Sequence, residues 1–163
     1  MALALVLVGA TAAAVIDVGT RRVPNRLTGG IAALGLLLAG LQVTGTGFLA
    51  AVGGLFVGLL LMLPGHLFGR TGAGDVKLLA ALGTLLGPAG AAAAFVYTLI
   101  AGGLLVVVVA AQRGRLKTTV AQTATLVRTG GANVAEIERP SADNRFAYAP
   151  AIAVGACLAA LGA

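Results

Sequence analysis

Five apolar stretches, residues 2–16, 27–43, 48–63, 78–111 and 146–163, fill most of a chain of 163 residues and leave little that could face water. Hydrophobic residues make up 59% of the chain and charged residues 10%, against about 25% charged residues in a soluble domain. A chain of this kind cannot cover itself in water, and its length allows one domain, residues 1–163. The fold class expected is therefore an all-α membrane protein. At about 20 residues per spanning helix, no more than about six or seven spans fit.

The fourth stretch is too long for one span. Gly87-Pro88-Ala89-Gly90 divides it, because glycine ends helices and proline suits the first position of the next one. About six helices result. The piece from Asp75 to Gly87 is the shortest of them, at roughly 20 Å by helix rise, and needs protein neighbours or a locally thinner bilayer.

Charge placement tests this division. Lys and Arg number 11 against 5 acids, for a net charge of +6. Arg21, Arg22 and Arg26 follow the first apolar run, Arg70 and Lys77 lie between the third and fourth helices, and Arg113, Arg115, Lys117, Arg128, Arg139 and Arg145 fall in the polar segment 112–145. With six spans every basic residue lies on one face, which the positive-inside rule assigns to the cytoplasm, with both termini outside. Merging the fourth and fifth helices would put the last six on the wrong face. The same rule accounts for the basic surplus without nucleic acid.

The N-terminal run is read as a span and not as a cleaved signal, since no basic residue precedes it. Within 112–145, Leu116, Val120, Ala124 and Val127 recur at helical spacing; a surface amphipathic helix and a flexible loop both fit. The lone Cys157 and lone His66 exclude a disulfide framework and a multi-cysteine zinc site, and no cofactor or metal site is expected.

Of the acids, Glu136, Glu138 and Asp143 sit in the polar segment, where solvation explains them. Asp17 and Asp75 border apolar runs, at the same expected depth on the cytoplasmic edge. Ionisable groups in such places are costly and are functional candidates, usually with a partner. Two carboxylates about 3 Å apart share one proton, so that one activates water and the other polarises a scissile carbonyl. Asp75 begins a helix, whose dipole favours an anion, whereas Asp17 ends one. On that basis Asp75 is expected to carry the charge and Asp17 the proton. Gly72 and Gly74, without Cβ atoms, allow a tight turn and close approach by a substrate strand.

Asp17-Val18-Gly19-Thr20-Arg21-Arg22-Val23-Pro24-Asn25, taken with Gly72-Ala73-Gly74-Asp75-Val76-Lys77-Leu78, resembles the signature of the type IV prepilin peptidases, the Gly-x-Gly-Asp aspartic peptidases of the bacterial cytoplasmic membrane. The resemblance implies catalytic roles for Asp17 and Asp75 and assigns Arg21, Pro24, Asn25, Gly72, Gly74 and Lys77 to the motif. It implies a prepilin or pilin-like substrate whose basic leader is cut on the cytoplasmic side. Long-form members add paired Cys-x-x-Cys motifs and a methyltransferase activity. With only Cys157, this chain resembles the short, peptidase-only form of tight-adherence (Flp-type) pili, and N-methylation is not expected.

Other residues have plainer readings. Lys77 reads equally as a tuner of Asp75 or as an interfacial anchor, although side chains two apart on a helix do not face each other. Topology explains Arg21, Arg22 and Arg26 better than substrate contact. Pro24-Asn25 forms a turn into the second helix, and Ala149-Pro150-Ala151 opens the last one. His66 and Arg70 sit at head-group level, with Tyr97 and Tyr148 as interface residues. The rival functions are a small proton- or ion-coupled transporter using the paired acids, a presenilin-like protease, and a non-enzymatic scaffold. A transporter would need a further acid deeper in the membrane to continue a path. The presenilin-like pattern places Tyr before the first Asp, where this chain has Ile16. A scaffold would tolerate Asp-to-Asn changes.

Overall fold

The computed structural model describes residues 1–67, 71–112 and 148–162, and its described residues are helical without strands. Five helices follow in order: α1 (Ala2–Thr20), α2 (Asn25–Gly40), α3 (Phe48–Leu67), α4 (Ala73–Gln112) and α5 (Ala149–Leu161). Three of these meet the length and apolarity needed to cross a bilayer, over Ala2–Thr20, Phe48–Leu67 and Ala73–Val109, and α5 is a shorter apolar helix. The chain therefore has the helices of a membrane protein. The expectations placed on Arg70 and on residues 113–147, with their basic cluster, their three acids and the amphipathic pattern, lie outside the described residues.

Local sequence sets the helix ends. Arg21 closes α1 in a left-handed conformation, φ 52° and ψ 31°, and its N–H bonds to the Asp17 carbonyl at 2.7 Å. Pro24 then turns the chain with an extended φ/ψ of −65° and 135°. Its carbonyl accepts the N–H groups of Leu27 and Thr28, so the expected turn into α2 at Pro24-Asn25 is present. The expected interruption of α4 is present as well. Gly87 has φ 70° and ψ 180° inside an otherwise helical run, just before Pro88. Such a φ suits glycine, which lacks the Cβ that would clash. The break frees carbonyl groups that a continuous helix would use, and the Thr46 hydroxyl from the α2–α3 connection donates to one of them, Leu85, at 3.3 Å.

The chain divides into two compact units, Met1–Gly102 with Ala147–Ala163, and Gly103–Phe146. In the second, the described residues 103–112 continue α4 as helix, with Leu104, Val106, Val107 and Val108 exposed. The first unit is built around the arm of α4 before Gly87. Leu78, Leu79 and Leu82 there are fully buried, and Val76, Ala80, Ala81 and Leu85 nearly so. Glycines on the neighbouring helices make this enclosure possible. A Cβ at Gly54 of α3 would strike the Gly83 carbonyl, one at Gly58 would lie 2.7 Å from the Leu79 carbonyl, and one at Gly35 of α2 would collide with Thr84. Small residues that let backbones approach are the usual means of packing helices in lipid, where no hydrophobic force pushes them together. The short helix that needed protein neighbours is thus the one most fully surrounded by protein.

Outward-facing side chains tell the complementary story. Val8, Val15, Val18, Leu37, Leu49, Phe56 and Leu60 are exposed on α1, α2 and α3. In water so much apolar surface would drive association; against acyl chains it needs no cover. On α1 the buried set is Val6, Gly9, Ala10, Ala13 and Asp17. That spacing follows one helical face, so the aspartate continues the small-residue face that packs against α5.

Candidate active site

Asp75 is held by the turn it belongs to. The Gly72 carbonyl accepts the N–H groups of Asp75 (3.1 Å) and Val76 (3.3 Å), which makes Gly72 the residue that starts α4. The Asp75 side chain reaches back, and its Oδ2 accepts the Gly72 N–H at 3.2 Å. This is a capping-box arrangement, an acid three positions into a helix satisfying the N–H of the starting residue. A Cβ at Gly72 would lie 3.1 Å from the same Oδ2. The first glycine of the motif therefore makes room for the carboxylate that folds over it.

Asp17 is held from a distance. Its side chain is 5% exposed, and its Oδ2 accepts the Ala149 N–H at 3.2 Å across 132 residues of sequence. The start of α5 explains why that N–H is available. The first four N–H groups of a helix have no intrahelical partner. At α5, those of Ala151 and Ile152 bond to the Tyr148 carbonyl, Pro150 has none to offer, and that of Ala149 remains. Asp17 thus serves as an acceptor at the N-terminus of another helix. The sequence-based division of roles rested on Asp17 ending α1, where a dipole opposes an anion. The structure places its carboxylate against the opposite kind of helix end, so the dipole contrast between the two acids does not hold.

The two motif segments meet. A Cβ at Gly74 would stand 3.2 Å from the Cβ of Val23, so the second glycine seats Val23 of the other segment. Lys77 Nζ donates to Asn25 Oδ1 at 3.0 Å. The two glycines thus have a local use, beside the close approach by a substrate strand expected of them, and Lys77 is engaged with Asn25. Pro24 shapes the turn and Arg21 closes α1, both at the edge of the site. His66 Nδ1 lies 3.0 Å from the Thr71 carbonyl, tying the end of α3 to the connection before α4.

Tyr148 was missed as a site residue, having read as an interface aromatic. It is the residue on which α5 starts, and its ring sits over Gly102 of α4, where a Cβ would come within 2.8 Å of Oη. The only hint in the sequence was its place just before Ala149-Pro150.

Among the described residues no group of three or more His, Cys, Asp or Glu side chains is arranged to hold a metal. What the geometry offers is two carboxylates, each oriented through Oδ2 by a backbone N–H. Two carboxylates brought to close range can share a proton, because like charges there resist simultaneous ionisation.

Comparison with known families gives one match. The type IV leader peptidase family fits residues 4–107, a stretch that contains Asp17, Asp75 and both motif segments. Comparisons with curated proteins and with solved structures gave no match. The chain belongs to the type IV leader peptidase family, and is a peptidase by that membership.

Proposed function

We propose that this member of the type IV leader peptidase family is an aspartic endopeptidase with Asp17 and Asp75 as its catalytic pair. The observation that carries the reading is the convergence of the two motif segments through two separate contacts, Val23 with Gly74 and Asn25 with Lys77. The mechanism follows from a shared proton. The ionised carboxylate takes a proton from water as its oxygen attacks the scissile carbonyl, and the protonated one donates toward the carbonyl oxygen. Collapse of the tetrahedral intermediate returns a proton to the leaving amine. Neither step needs a cofactor.

The substrate in this reading is a prepilin or pilin-like precursor, whose short basic leader is removed on the cytoplasmic side of the bacterial cytoplasmic membrane. Six spans, formed by α1, α2, α3, the two arms of α4 and α5, put the basic residues on that side and both termini outside. A precursor with a basic leader and an apolar helix obeys the same charge rule. The bilayer then brings scissile bond and carboxylates to one depth, and so reduces the entropy lost in meeting. The activity is proteolysis without N-methylation, in keeping with a single cysteine, Cys157, placed in α5.

Reconstitution with a tagged prepilin-like substrate tests the reading. Asp17→Asn and Asp75→Asn should each insert normally and lose cleavage by roughly 10²–10⁴-fold, the range for removing a positioned acid or base. Cleavage retained by either variant would remove the pair from the mechanism.

A further inference from the structure

The start of α5 does two things at once: Ala149 gives its N–H to Asp17, and the preceding Tyr148 places its ring on α4. The seat for that ring is Gly102, where any Cβ would stand 2.8–3.0 Å from Oη, Cε2 and Cζ. Seven residues further on, two turns along the same face of α5, Gly155 forms a second notch. A Cβ there would lie 2.6 Å from the Ala94 carbonyl and would also collide with the Thr98 hydroxyl. α5 is therefore keyed to the second arm of α4 at both points, the first of them one residue before the N–H that holds Asp17. Ala149 itself is fully buried, and a donor so enclosed cannot follow a wandering carboxylate. Its location is set by where the helix start is pinned.

We propose that Tyr148 is a positioning residue: its ring, lodged against Gly102, fixes the start of α5 so that the Ala149 N–H orients the Asp17 carboxylate for catalysis. The ring is the active part, so its hydroxyl is dispensable. The inference rests on Asp17 being catalytic, yet the orientation of Asp17 can be read without substrate.

The experiment has two readouts on the reconstituted full chain: reaction of Asp17 with a hydrophobic carbodiimide, located by peptide mapping, and cleavage of a prepilin-like substrate across pH. Tyr148→Ala should increase carbodiimide modification of Asp17 and lower kcat roughly ten- to a hundredfold, the worth of one hydrogen bond to a charged group, with KM unchanged. Tyr148→Phe, which keeps the ring, should match the parent in modification and in pH profile. Gly102→Ala approaches the ring from the other side with little volume and should give an intermediate increase. Equal Asp17 modification in the parent, Tyr148→Ala and Gly102→Ala would overturn the proposal. So would a Tyr148→Phe variant as impaired as Tyr148→Ala, because the hydroxyl would then be the working group. If the parent fails to cleave, the proteolytic reading fails, while the modification pattern still decides whether Tyr148 positions Asp17.

Discussion

The two aspartates are supported in opposite ways. Asp75 takes its hydrogen bond from Gly72, three residues back in its own turn, whereas Asp17 takes one from Ala149, at the far end of the chain. Asp75 is partly buried and Asp17 nearly completely so. One carboxylate is placed by local geometry that forms with the helix itself. The other is placed only when α1 and α5 have packed together. A site built this way is completed by tertiary assembly, and its weaker point is the distant support.

Breaking that distant support should therefore have the largest effect. Ala149→Pro removes the N–H that Asp17 uses, and it also disfavours the helical φ/ψ of −91° and −18° at Tyr148, since a residue before proline avoids that region. A loss of about tenfold or more in kcat is expected in reconstituted cleavage assays. Activity equal to the parent would mean that Asp17 needs no remote anchor. Next in size is the joint between the two segments. Gly74→Leu forces a side chain into the place of Val23 and should cost about 1–3 kcal/mol, as overpacking does, seen as a lower Tm in detergent; an unshifted Tm would deny the close contact.

The local support should be more forgiving. Gly72→Ala keeps the N–H but puts a Cβ 3.1 Å from Asp75 Oδ2, so a small displacement of the carboxylate relieves it. The expected loss is about 0.5–1.5 kcal/mol of transition-state stabilisation, a weakened rather than a lost hydrogen bond, measured as kcat/KM. A larger loss than that of Ala149→Pro would invert the comparison. The smallest effect belongs to Lys77→Met, which removes an exposed hydrogen bond to Asn25 and should lower stability by about 0.5 kcal/mol, the low end for such bonds, by thermal melting.

This contrast also explains what was readable in advance. The break at Gly87-Pro88, the turn at Pro24-Asn25 and the opening of α5 at Ala149-Pro150 depend on backbone preferences of the residues themselves, and all were legible. The meeting of the segments that carry Asp17 and Asp75 was expected too, and Val23 with Gly74 and Asn25 with Lys77 join them. The Ala149 bond to Asp17 was not legible, since it depends on α5 lying along α1. Nor was the use of Gly72 and Gly74, which accommodate Asp75 and Val23. The arm of α4 before Gly87 read as the weakest helix from its length alone, yet glycines at positions 35, 54 and 58 on its neighbours enclose it. Asp17 on the same face as Val6, Ala10 and Ala13 was the available clue that this acid pointed into protein.

The central claim is that folding brings the Asp17 and Asp75 side chains together beside the start of α5. Nitroxide labels at Asp17→Cys and Asp75→Cys, in a Cys157→Ala background reconstituted in bilayers, measure this through their dipolar coupling. The account requires strong spectral broadening in the double-labelled protein relative to the sum of the two single-labelled ones. A double-labelled spectrum that equals that sum would place the two acids in separate sites and contradict it.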